Sequence, residues 1–191
     1  MATVKSTEGY LEGQLLIAMP TMADPRFTRT VIYLCVHNSD GAMGLVINKQ
    51  LDTLTFQNLL EQLEIGTARP IGSTMVHFGG PVEMARGFVL HSADLVQDDT
   101  LIVTNGIALT ATVDILRLIA DGSGPQNTLL ALGYAGWGPG QLEAEIQDNA
   151  WLNVPADPPL IFEDDIDAKW SLALSKLGID PSQLSDAHGH A

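Results

Sequence analysis

TVIYLCVHNSDGAMGLVIN, residues 30–48, decides the fold class. Residues 30–37 are rich in β-branched and aromatic side chains, which favour a pleated, extended backbone. NSDG at 38–41 is turn chemistry, because Asn, Asp and Gly reach positive φ at little cost. AMGLVIN then returns as a second strand, so the stretch predicts a hairpin. On a strand, residues of equal parity share a face. Val31, Tyr33, Cys35 and His37 are expected on one face, with Ile32, Leu34 and Val36 on the other. A thiol beside an imidazole can have its pKa lowered. Two readings stay open: a reactive or redox-sensing Cys35 paired with His37, or a small buried hydrophobe beside a histidine bonded to loop backbone. Free cysteine is among the most buried residue types, which favours the second. No Asn or Asp is placed by motif to orient the histidine, so a protease-like dyad is weaker still.

Outward from this hairpin the pattern is mixed. QLLIAM at 14–19 reads as a buried strand, and PTMADPRFTR after it as a loop with two prolines that cannot join a central ladder. LTFQNLLEQL at 54–63 predicts a helix, with Phe56, Leu59, Leu60 and Leu63 in one stripe and Thr53 or Thr55 as its cap. TMVHF, RGFVLH, TLIVT and TLLALGY read as strands. TATVDILRLIADG reads as a helix ending at Gly122, and GPGQLEAEIQDN as another beginning near Pro139. VPADPPLIF reads as a proline-rich loop, and DIDAKWSLALSKLG as the last helix. No βαβ repeat is present, so the fold class is α+β rather than doubly wound. The chain is expected to be one domain over 1–191, with 1–12 and 179–191 as flexible ends.

Composition narrows the partners. The chain has 191 residues, is 46% hydrophobic and 17% charged, and carries a net charge of −14 from 23 acidic and 9 basic side chains. Such a surface repels phosphate backbones and anionic membrane surfaces, so direct nucleic-acid binding and membrane docking are disfavoured. One cysteine allows no internal disulfide. No signal-peptide pattern opens the sequence and no apolar run has the length of a membrane span, so a cytoplasmic location is expected.

Three stretches can carry chemistry. In HFGGPVEMARGFVLH, residues 77–91, Gly79 and Gly80 can present backbone N–H groups as an anion nest, and Arg86 can grip a carboxylate or phosphate. A tight connection between strands explains the same glycines. In LGYAGWGPGQLEAEIQDNAWL, residues 132–152, Gln141 and Glu145 share one helical face, while Glu143 is expected to turn away. A solvated first turn attracts Glu in any case, and Trp137 and Trp151 can pack locally or anchor a partner. His188 and His190 form an HGH pair in the tail, a place for adventitious nickel or zinc. His37, His77 and His91 stand alone and match no zinc spacing, and FEDDID reads as a solvated acidic face. Neither a metal nor a cofactor is expected.

The phrases GQLLIAMPTMADPRFTRTVIYLCVHNSDGAMGLVIN, FGGPVEMARGFVLH, LGYAGWGPGQLEAEIQDNAWL and the final GHA together resemble the AlgH/YqgE family of bacterial proteins. The resemblance runs from about Gly13 to Ala191. It implies an α+β fold: a bifurcated mixed sheet including a small closed barrel, surrounded by helices. It brings no enzymatic reaction, cofactor or DNA-binding motif, although some members are labelled transcriptional regulators. Its recurring polar positions fall here on Asp24, His37, Arg86, His91, Gln141 and Glu145. With the surface this acidic, regulation is expected through a protein or metabolite rather than by touching DNA. The favoured expectation is a binding or regulatory module for a small anionic metabolite or a protein partner, built around Gly79, Gly80, Arg86 and residues 134–141. The alternative is a thiol sensor or enzyme using Cys35 and His37. The oligomeric state stays open.

Overall fold

The computed structural model describes residues 9–67, 74–104, 106–163 and 165–185. The hairpin read first is present as β2 (Val31–Asn38) and β3 (Gly41–Val46), preceded by β1 (Gln14–Ala18). β4 (Gln50–Thr55) leads into α1 (Phe56–Gln62), where Thr55 and Asn58 form a reciprocal capping box. Next come β5 (Met75–Phe78), β6 (Val82–Ser92), β7 (Leu101–Thr104), β8 (Ile107–Thr110) and α2 (Val113–Asp121). The chain continues through β9 (Thr128–Trp137), α3 (Gln141–Gln147), β10 (Trp151–Pro155), α4 (Pro158–Phe162), α5 (Lys169–Ser175) and α6 (Pro181–Ser185). Among the described residues, no helix is long and apolar enough to cross a membrane.

The strands order as β10-β1-β2-β3-β9-β6-β8-β7, with β5 added against β9 and β4 against β5. β9 is the branch. Its C-terminal half pairs antiparallel with β3 at Ala135 and Trp137, while Ala131 and Leu132 pair in parallel with β5. Its other edge pairs with β6 from Thr128 to Tyr134. The sheet curls until Thr104 of β7 meets Tyr33 of β2 hydroxyl to hydroxyl, at 3.3 Å. Among the described residues β7 pairs along its backbone with β8 alone, and β10 with β1 alone. The outcome is a curled half-barrel: side chains bridge the seam between β7 and β2, and no ladder closes it.

Inside the curl, Leu15, Ile17, Tyr33, Leu45, Phe88 and Leu90 pack with Ile161, Trp170 and Leu174 from α4 and α5. Outside, α3 covers β1–β3 through Leu142, against Leu16, Ile32, Leu34, Trp137 and Trp151. α1 and α2 cover the other arm through Phe56, Leu60, Ile115 and Leu116.

Several stretches differ from the sequence reading, among them QLDT at 50–53, which had no element assigned and begins β4. VPADPPLIF, read as a loop, supplies the end of β10 and all of α4. Pro158 takes the first helical position, where its missing N–H costs nothing, and the Asp157 carboxylate accepts from the Leu160 N–H at 2.9 Å. IALT at 107–110 is a strand buried along its length, and α2 begins after it with Thr112 as N-cap. The segment 179–191, read as a flexible end, includes α6; His188 and His190 lie outside the described residues.

Candidate functional site

The expected shared face of Cys35 and His37 does not form. Leu34 pairs with Gly44 and Val36 with Met43, so two steps along β2 oppose one on β3. This bulge reverses the parity beyond it. Cys35 and Val36 both turn into the half-barrel, while His37 passes to the α3 side. The Cys35 thiol lies 3.7 Å from the Tyr33 carbonyl, its acceptor, and burial pushes its pKa up to about 12. His37 is 3% exposed. Its Nδ1 accepts from the Leu11 N–H at 3.0 Å, so the proton sits on Nε2, which donates to Glu143 at 2.7 Å. Glu143, expected to turn away, is the partner that orients the imidazole. Its own backbone N–H, opposed by burial and helped by His37, holds its carboxyl below the usual range.

The glycines before β6 do not make an anion nest. The Gly79 N–H donates to Leu132 at 2.8 Å, and its carbonyl accepts from Val46 at 2.9 Å. A Cβ on Gly80, whose φ is 154°, would lie 2.0 Å from the Tyr134 carbonyl carbon. A Cβ on Gly133 would lie 2.2 Å from the Gly80 oxygen. The chain entering β6 therefore crosses flush over the branch strand, and glycine is there for close approach.

Just beyond this crossing the β6–β9 register slips between Val82↔Tyr134 and Gly87↔Leu132, and residues 83–86 bulge outward. The bulge carries Arg86 to the rim of an open cleft of about 760 Å³. Met43, Phe88, Leu109 and Tyr134 are among its apolar lining, and Asn38, Asp40 and Asp99 are polar lining groups. The Arg86 guanidinium lies 5.1 Å from the centre of the Phe88 ring, which packs edge-on to Tyr134 at 5.8 Å. Glu83, exposed, is 3.4 Å from Arg86. Tyr134, Gly136 and Trp137 line the same cleft as Arg86. Asn38, Asp40 and Asp99 were not singled out from the sequence; only the turn chemistry of NSDG pointed toward the first two, and nothing pointed to Asp99.

The other shortlisted residues scatter. Asp24 caps a short 3₁₀ turn (Pro25–Phe27) and grips Arg26 at 2.7 Å, which lowers its pKa. Gln141 accepts from the Gly138 N–H at 3.0 Å and closes the turn before α3. Glu145 leans on the tryptophan pair of the outer core. Burial raises its pKa, the Trp137 indole N–H opposes that, and the Asp24 carboxylate adds to it. Its Oε2 is buried without a partner, as is the Trp151 indole nitrogen. His91 is fully buried and fully bonded. Its Nδ1–H donates to the Ser92 carbonyl at 2.9 Å, and Nε2 accepts from the Thr110 hydroxyl at 2.8 Å. Thr100 in turn donates to Thr110 at 2.8 Å. That chain ties β6 to β8 and leaves no valence for a ligand. Among the described residues no three His, Cys, Asp or Glu side chains gather as a metal set.

A family model described as AlgH-like matches residues 15–182. A UPF0301 protein of Bradyrhizobium diazoefficiens is 55% identical over 194 residues, covering 97% of this chain and 91% of that protein. One from Rhodopseudomonas palustris is 58% identical over 190 residues, covering 95% and 89%. The solution structure of the AlgH protein from Pseudomonas aeruginosa superimposes with a TM-score of 0.79 at 46% identity, over 98% of this chain and 99% of that one. A crystal structure from Corynebacterium diphtheriae, with a TM-score of 0.66 and 24% identity over 90% and 88%, shares the fold.

Proposed function

The chain belongs to the AlgH-like family, and from that premise we propose that it is a binding module whose Arg86 cleft holds a small amphipathic carboxylate. The observation that carries this reading is the pairing of one cation at the rim with an apolar floor. Binding sites for small molecules are mostly apolar clefts of about 300–1,000 Å³ with a few placed polar groups. The cleft, at about 760 Å³, falls within that range. The Arg86 guanidinium lies over Phe88 on an exposed side chain, and its contact to Glu83 is long and exposed. A ligand carboxylate that bonds the guanidinium bidentately replaces a weak partner with a stronger one. Asp40 and Asp99 then accept from donors on the ligand body. Regulation, on this reading, is the effect of the occupied cleft on a partner.

A melting-temperature screen with aliphatic and aromatic carboxylates tests it. A ligand at 100 times its Kd adds about 2.7 kcal/mol, or roughly 5–10 °C for a chain of this size. Arg86→Gln should remove the shift while leaving the unliganded melting temperature in place. No shift with any carboxylate, or an equal shift in the variant, refutes the reading.

A further inference from the structure

We propose a second site, sharing no lining residue with the Arg86 cleft: a recess at Arg29, Lys49 and Trp170 that binds the dianionic head of a small phosphate monoester. In a chain with only 9 Lys and Arg against 23 acidic residues, Arg26, Arg29 and Lys49 come from within 24 positions of one another. Arg29 and Lys49 line one recess of about 350 Å³, and a neighbouring one of about 410 Å³ shares Thr28, Arg29 and Trp170 with it.

The recess is rich in unspent donors. Arg29 lies 4.5 Å from the Trp170 ring centre, and its guanidinium has no hydrogen-bond acceptor among the described residues. The Thr28 and Ser171 hydroxyls that line the recess have no partner there either. Lys49 spends one of its three protons, on the Arg26 carbonyl at 2.8 Å. Among the described residues, Asp167 is the acidic side chain in the lining, and Asp24, though close enough to act on Lys49, is engaged by Arg26.

The recess is also built rather than loose. Arg29 sits at φ 49°, a conformation non-glycine residues rarely adopt, and Asn48 locks it there. The Asn48 amide donates to the Arg29 carbonyl at 2.9 Å and accepts from the Val31 N–H at 2.8 Å. Trp170, 6% exposed, is itself anchored through its indole N–H to the Ala18 carbonyl at 2.9 Å. An arginine with a strained backbone, its guanidinium carbon 4.5 Å from the centre of a fixed indole ring, is a preorganised donor. Two cations and two hydroxyls around one hollow match the charge and three terminal oxygens of a phosphate monoester better than a single carboxylate.

Calorimetry on the full chain in phosphate-free buffer tests this, with inorganic phosphate and glycerol phosphate as probes and citrate as comparator. We expect one saturable site for both phosphates, a shift of the Trp170 indole resonance on titration, and about tenfold weaker binding in Lys49→Gln and in Arg29→Gln. Lys49→Arg should retain binding, and Arg86→Gln should leave it unchanged. Unaltered melting temperatures in the unliganded variants show that the fold survives. Absence of saturable phosphate binding, equal binding in the Arg29→Gln/Lys49→Gln double variant, or citrate binding as tightly as phosphate overturns the proposal.

Discussion

At the end of β2, residues two apart in sequence face different interiors, and each answers to its own surroundings. Cys35 is 3% exposed with its pKa near 12 in place of 9.0, so the thiolate fraction near pH 8 falls about 1,000-fold. Iodoacetamide should therefore modify the native thiol at least that much more slowly than the urea-unfolded one. Rapid native labelling would restore the thiol-sensor reading. Glu145 shows the opposite imbalance for a carboxylate: burial disfavours its charge, and one oxygen has no donor. Because its folded pKa is raised, its ionised form costs stability at neutral pH, and that cost fades as pH falls through the folded value. Glu145→Gln should raise stability at pH 7 by about 0.5 kcal/mol, discounted for its partial exposure, and change nothing near pH 3; denaturant melts at both pH values check this. The sequence named Arg86, His37 and Glu145 as polar residues worth watching. It did not show which would meet. One bulge residue in β2 sends His37 to Glu143, and a slipped register in β6 lifts Arg86 to the cleft rim. A period-two reading carries no sign of either irregularity.

Strands and helices were legible wherever periodicity or turn chemistry was unbroken, as in the hairpin of β2 and β3 and the stripe of α1. They were hidden where an element is short and punctuated. β8 has only four residues and runs almost directly into α2, and α4 begins with two prolines that also suit a loop. Gly79 and Gly80 do make the tight connection between strands that was one reading of them, linking β5 to β6, but the crossing they make over Gly133, far off in sequence, was not legible. Its energetics separate close approach from backbone preference. Gly80→Ala or Gly133→Ala drives a methyl to about 2 Å from backbone atoms and should cost about 4 kcal/mol or more. Gly140, also at positive φ (73°), has open space around its missing Cβ, and Gly140→Ala should cost only about 1 kcal/mol. Urea midpoints of the three variants decide the point, and similar losses would refute the close-approach account.

For the molecule as a whole, acidification acts in two windows. His77 on β5 donates through Nδ1 to the Leu130 carbonyl at 3.3 Å, and burial, with Lys169 nearby, pulls its pKa down to about 4 from 6.5. Protonation then favours the unfolded chain. Stability is full above pH 6.5 and declines toward pH 4, by up to about 3 kcal/mol. Asp24, Asp94, Glu143, Asp157 and Asp180 are carboxylates held low, so they add a further loss only below their ordinary values of 3.8 to 4.5. His77→Gln should flatten the first window and leave the second; thermal melts between pH 3 and 8 would show it, and an unchanged first window would remove His77 as its cause. The branch strand has a different consequence, for synthesis. β3, β5 and β6 all precede β9 in the chain, and β1 waits for β10. While the ribosome is still making the first two thirds of the polypeptide, these edges have nothing to close on. The nascent chain must be kept from premature association until its last third has emerged, so translation speed and holding chaperones weigh on yield more than the finished molecule's stability would suggest.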